Sequence, residues 1–195
     1  MKPLSLLAAF LLLRAVSTAE VAPFAMPPTR PTPNVATPAP GAVSPEAVAD
    51  NPELARLFRE DQDDRQAGQV IDWSKVIPRD AARVKRAKEL YNRGLLRTGG
   101  DYFHAAMVLQ RADAADDFLL AHELCIVALL KGEKRARWLA AASEDRFLLK
   151  IGRPQRFGTQ YRGRGDAAAE PATGPAAVSD ALRREFNVTP APAGK

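Results

Sequence analysis

The stretch 152–161 of this chain reads GRPQRFGTQY. Gln155, Thr159 and Gln160 offer neutral donors and acceptors. Arg153 and Arg156 can grip a carboxylate or a phosphate. Gly152 can end a helix and Pro154 prevents its continuation. A run of this composition has neither helical nor strand periodicity, so its order must come from elsewhere. Two roles fit it. It either presents polar groups to a ligand, or wraps a helical body and satisfies helix ends with those groups.

Other residues upstream could share such a site. Gln110 lies on a stripe with Phe103 and Met107, and a buried amide needs partners for both of its ends. Asp145 and Arg146 fall on a core-facing side of their helix. As a buried pair they would fix the loop that starts a few residues later. As a pocket floor they would contact a polar ligand together with Gln110. His104 and His122 are the two histidines, each on or beside an apolar helix face. In a hairpin they could approach one another, with Glu123 or Asp101 nearby, and two histidines plus a carboxylate can bind zinc or iron. No tight ligand spacing such as HExxH accompanies them, and hydrogen-bonded core histidines are the simpler reading. The ligand-binding candidates are therefore His104, Gln110, Asp145, Arg146, Arg153, Gln155, Thr159 and Gln160, with His104 and His122 as weak metal candidates.

The sequence has no Ser–His–Asp pattern, nucleotide-binding P-loop or dinucleotide-binding glycine motif, so no cofactor is expected. The adjacent acids Asp63-Asp64 and Asp116-Asp117 point in different directions on helices and are expected to face solvent. Cys125 is the single cysteine. It stands among Leu124, Ile126 and Val127 and reads as a small buried hydrophobe. One cysteine gives no internal disulfide framework.

Five helices are expected to position these groups. Asn51-Pro52-Glu53 is a helix start, with Asn as N-cap and Pro at the first helical position. Leu54, Leu57 and Phe58 give that helix an apolar stripe, an acidic patch follows, and Ala67-Gly68 ends it. Ile71-Asp72-Trp73 reads as a connector anchored by its tryptophan. The second helix is expected over 78–93, capped by Gly94, and the third over 101–111 with Asp101 as its cap. The fourth is expected over 113–131, with Phe118, His122, Ile126 and Leu129 on its core face. The fifth covers 133–151, with Trp138, Ala142, Asp145 and Leu149 along one side. Short Gly-bearing turns imply antiparallel neighbours. The expected fold is all-α: a compact antiparallel bundle of about five helices. The segment around Gly132 has the look of a Sel1-like or tetratricopeptide-like hairpin, without a regular repeat period.

Of the 16 prolines, only Pro52, Pro78 and Pro154 fall within 51–162. The chain therefore divides into a signal peptide (1–19), a Pro/Ala-rich disordered linker (20–50), a helical domain (51–162) and a flexible tail (163–195) with a short helix near 178–187. The signal reading rests on Lys2, the apolar run 4–13, which is too short to span a bilayer, and the small residues Ser17-Thr18-Ala19. It implies a periplasmic or secreted protein with no stable membrane span after cleavage. The formal charge of +5 falls to +3 when Lys2 and Arg14 leave with that segment. Basic residues are dispersed among acids, which argues against nucleic acid as a partner.

Four segments carry a resemblance: YFHAAMVLQ at 102–110, DFLLAHEL at 117–124, WLAAASEDRFL at 138–148 and GRPQRFGTQY at 152–161. Together they resemble an uncharacterised bacterial domain of unknown function, with a Gln-His-Ala-Asp or Gln-His-Gly element and a G-R-P-Q-x-[FY]-G-T-Q ending. The resemblance covers about residues 51–188, including VSDALRREFNV at 178–188. It departs at Arg111, where the family has histidine. It implies a mostly helical domain and supplies no activity. The expected function is thus a non-enzymatic binding or interaction domain with a polar groove around the GRPQRFGTQ loop and an unknown ligand or protein partner. The alternatives are a metal-dependent or hydrolase-like enzyme using His104 and His122, and a helical scaffold for a protein partner.

Overall fold

The computed structural model describes residues 48–66, 68, 70–162, 170–171 and 178–189. All of these fall within one unit, Pro45–Lys195. The expected signal peptide, and the linker up to residue 47, lie outside the described residues, as do 163–169, 172–177 and 190–195 of the tail.

The described residues form an all-α bundle, in chain order α1 (Pro52–Asp63), α2 (Trp73–Asn92), α3 (Gly99–Leu109), α4 (Ala115–Leu130), α5 (Ala136–Lys150) and α6 (Asp180–Glu185). Strands β1 (Tyr161–Arg162) and β2 (Glu170–Pro171) add a two-residue antiparallel pair, Tyr161 opposite Pro171 and Arg162 opposite Glu170. No strand was expected there.

Helix starts depend on which side chain reaches the free N–H groups. Asn51 Oδ1 accepts from the N–H groups of Glu53 and Leu54, as its type suggests. Four starts differ from expectation. The second helix opens at Trp73, not Pro78, because Asp72 caps it by accepting from Ser74 N–H at 3.2 Å. Pro78 sits inside the helix, and Trp73 is 54% exposed rather than an anchor. The third helix is capped by Thr98, and Asp101 completes a capping box from the third position by accepting from Thr98 N–H at 3.1 Å. The fourth begins at Ala115 with no side-chain cap, and Asp116 and Asp117 lie in its first turn, where acids favour the positive helix end. The fifth begins at Ala136 with no side-chain cap, and Glu133 Oε1 accepts from Arg135 N–H just before it.

Three of the helices, α2, α4 and α5, end at glycine. Gly152 has φ +74°, which an L side chain adopts only with strain. Its N–H reaches Leu149 C=O at 3.1 Å and Arg153 N–H reaches Leu148 C=O at 2.8 Å, so the last carbonyls of α5 are satisfied. α2 and α4 close in the same way at Gly94 and Gly132.

α3 packs on α1, α2, α4 and α5, and the most extensive pairings are α3 with α4 and α4 with α5. The seam is built of small residues: Ala105, Ala106, Ala121, Cys125, Ala128 and Ala140 are all buried. Small side chains let helix backbones approach, while Leu54, Leu90, Leu109 and Leu139 fill the remaining space. Truncating one of these leucines to alanine costs about 2–5 kcal/mol. The same geometry corrects the reading of α4. Its core face is Phe118, Ala121, Leu124, Cys125 and Ala128, whereas His122 and Leu129 are half-buried and Ile126 is exposed. Trp138, placed along one side of the fifth helix with Ala142 and Asp145, is exposed while those two are buried.

Candidate functional site

The loop after α5 is organised by one buried carboxylate. Asp145 is fully buried. Its Oδ1 accepts from the N–H groups of Arg156 at 2.6 Å and Phe157 at 2.9 Å. Its Oδ2 accepts from Thr159 N–H at 2.9 Å and Thr159 Oγ1 at 2.8 Å. Gln155, also buried, ties the loop across itself: its Nε2 donates to Gln160 C=O at 3.1 Å and its Oε1 accepts from Gln160 N–H at 3.0 Å. Gln160 Nε2 donates to Thr159 Oγ1 at 3.0 Å. From the other side, Arg183 of α6 donates to Phe157 C=O and Arg156 C=O. Backbone amides that a β- or α-ladder would otherwise pair are thus satisfied by side chains.

Asp145 and Arg146 do not pair. Arg146 Nη1 donates to Gln110 C=O at 2.7 Å, at the C-terminal cap of α3, where a cation complements the negative helix end. Burial, and after it the charges of Arg111 and Arg65, hold the Arg146 guanidinium below the usual arginine range. Gln110 Nε2 donates to Ser143 Oγ at 2.8 Å, and Ser143 Oγ donates to Leu139 C=O at 2.7 Å. Arg153 is exposed.

His104 is buried among aromatic rings. It stacks on Phe58 with centroids 4.7 Å apart and meets Phe103 at 5.8 Å. Its Nδ1 is buried without a hydrogen-bond partner. Burial first, then the charge of Arg135, holds the ring below the ordinary histidine value, while Asp50, Asp101 and Glu133 act in the opposite direction. His122 has different surroundings, with Nδ1 3.0 Å from Ala140 C=O. A carbonyl can only accept, so Nδ1 carries the proton in the neutral ring and Nε2 keeps a lone pair. No group of three or more His, Cys, Asp or Glu side chains among the described residues is placed to hold a metal ion. Burial pushes the Cys125 thiol up to about 12, which leaves it a packing group.

The eight candidates therefore do not converge on one polar groove. Asp145, Gln155, Thr159 and Gln160 bind one another, Gln110 and Arg146 tie α3 to α5, and His104 is packed among rings. What the loop does present is a different set. Arg156 and Phe157 join His122, Ile126, Leu130 and Phe186 in lining a groove of about 460 Å³ between α4, α5 and α6. At its rim Arg156 Nη1 donates to Glu144 Oε1 at 2.8 Å. The sequence signal for this groove was the Phe118–His122–Ile126–Leu129 stripe. It was assigned to the core because apolar spacing alone does not distinguish a core face from a groove wall.

A chain of ion pairs between α1, α2 and the end of α3 was not anticipated. Asp61 is fully buried and accepts a two-pronged contact from Arg111, Nε at 2.7 Å and Nη2 at 2.9 Å, and one from Arg65 at 3.0 Å. Arg65 continues to Asp80, Asp80 to Arg83 at 2.6 Å, and Arg83 to Asp64 at 2.7 Å. Burial works to raise the Asp80 carboxyl, and the hydrogen bonds from Arg65 and Arg83 outweigh it, so it lies below the ordinary carboxylate value. Asp64 and Asp117, expected in solvent, are instead paired, with Arg83 and Lys88 respectively.

The chain matches no family model, no curated protein and no solved structure.

Proposed function

We propose that this chain is an exported, non-enzymatic binding domain that seats an apolar segment of a partner protein in the groove between α4, α5 and α6. One observation carries this reading. α4 is apolar on nearly all sides, and such a helix is ordinarily covered all round. Its core face packs on α3 and α5. Its outer stripe does not: Leu119, Ile126 and Leu130, at i, i+7 and i+11, are 37%, 44% and 83% exposed. Leu182 of α6 is exposed on the far wall of the same groove. Contiguous apolar surface of this kind marks interaction sites. His122 Nε2, on that wall, offers an acceptor to an N–H or O–H of the bound segment. Export is supported by Lys2, the apolar run 4–13 and Ser17-Thr18-Ala19. No described helix is long and apolar enough to cross a membrane.

A photo-crosslinking residue placed at 130 or at 182, in the native host, tests this reading. A discrete adduct is expected at both positions and none at Arg59, an exposed site on α1. Equal adducts at all three positions, or none at 130 and 182, would refute it.

A further inference from the structure

A separate groove of about 620 Å³ runs along the outer side of α2 to the turn between α3 and α4. Ile77, Ala81 and Val84 line it at i, i+4 and i+7, so they share one helix face, and Ala112 extends the apolar lining from the turn. Lys85, one position beyond Val84, stands at its edge.

The charges around this groove are unbalanced in a specific way. Each acid that lines it already meets a cation of the chain: Asp80 meets Arg65 and Arg83, Glu89 meets Arg86 (which it shares with Glu53), Asp113 meets Lys150, and Asp117 meets Lys88. The cations are not all matched. Lys85 makes no ion pair or hydrogen bond with any described residue. Arg111 is paired with Asp61 through Nε and Nη2, and its Nη1 has no acceptor among the described residues. Near Arg111, the half-buried Arg146 has a carbonyl as its hydrogen-bond partner and no carboxylate among the described residues, so the positive field there is not cancelled. The groove combines an apolar wall with the unpaired Lys85 and the spare N–H group of the Asp61-paired Arg111 in its lining, the arrangement of a small-molecule site with a few orienting polar groups.

We infer that this groove binds a small amphipathic monocarboxylate, its hydrocarbon body on Ile77, Ala81 and Val84 and its carboxylate between Lys85 Nζ and Arg111 Nη1. An alkyl cation of the same length would meet the same apolar wall with the wrong charge. A neutral alcohol would gain the apolar contact alone. The site is distinct from the α4–α5–α6 groove, and the two readings stand or fall separately.

The test is two-dimensional amide NMR of the folded domain titrated with decanoate below its micelle concentration, with decylammonium and decanol as paired controls. Decanoate should shift resonances at Ile77, Ala81, Val84, Lys85 and Ala112, and decylammonium should not. Lys85 is exposed, so Lys85→Glu should leave the thermal melt unchanged while weakening decanoate at least about tenfold, equivalent to about 1.4 kcal/mol. Three outcomes would overturn the inference: equal binding of decylammonium, shifts confined to Ile126 and Phe186, or an unchanged decanoate affinity in Lys85→Glu.

Discussion

Asp145 gathers four donors into a site from which water is excluded, and together with the Gln155–Gln160 pairing and Arg183 it orders a loop that has no ladder of its own. Asp145→Asn keeps the shape but turns one acceptor into a donor facing an N–H. The expected cost is about 2–4 kcal/mol, read as a shift of the urea midpoint. Thr159→Val removes only one of the four donors and should cost about 1 kcal/mol. His104 gives a second prediction, in pH. Its folded value lies below the unfolded one of about 6.5, so the unfolded chain takes up the proton first. The stability tied to the neutral ring is present above about pH 6.5 and is lost as pH falls through the folded value. Asp80 and Glu133 are depressed carboxylates, and their contribution is lost only below about pH 4. The thermal midpoint should therefore decline between pH 7 and 5, and His104→Phe should flatten that decline. The residue types were readable in the sequence, and the partners were read less well. Asp145 was recognisable as a buried polar group that fixes the loop. Its true partners are backbone amides, which no side-chain pattern displays.

Among the elements, the glycine-terminated helix ends were legible because Gly94, Gly132 and Gly152 each follow an apolar helical run. The starts were less so. Asp72 and Thr98 compete with neighbouring Pro78 and Asp101 for the same role, and only the three-dimensional reach of each oxygen decides. α6 was legible as a short amphipathic turn, but not what it does. Its Arg183 is buried and donates to the carbonyls of Arg156 and Phe157, while Phe186 and Val188 pack near Phe157. Arg183→Ala should release α6 while the five longer helices persist. Hydrogen exchange should then rise over 180–188 and at Arg156–Phe157, with protection in α3 and α4 retained.

At the scale of the whole molecule, the ion-pair chain Arg111–Asp61–Arg65–Asp80–Arg83–Asp64 joins three helices through partners up to 50 residues apart. Such separations are invisible to any local pattern, and in the sequence Asp61 stands only as one member of the acidic patch 60–65. Because Asp61 is fully buried, removing its principal partner with Arg111→Ala leaves charge poorly compensated, and a loss of about 3–5 kcal/mol is expected in chemical unfolding. The outer stripe of α4 should behave in the opposite way. Leu130→Lys changes a side chain that is already in solvent, so stability should stay within about 0.5 kcal/mol while crosslinking to a partner disappears.

The Asp145 loop also constrains how the chain can be made. The amides that Asp145 binds lie 11, 12 and 14 residues after it. During synthesis α5 is complete before any of them exists. At about 5–20 residues per second, its carboxylate stays unsatisfied for roughly a second, and the final packing of α5 waits on the turn that follows it. A nascent chain halted at Gly152 would hold every core helix from α1 to α5 and still lack the N–H groups that satisfy the buried Asp145 carboxylate. Release of the loop from the ribosome, rather than completion of the last long helix, is then the event after which the bundle can close.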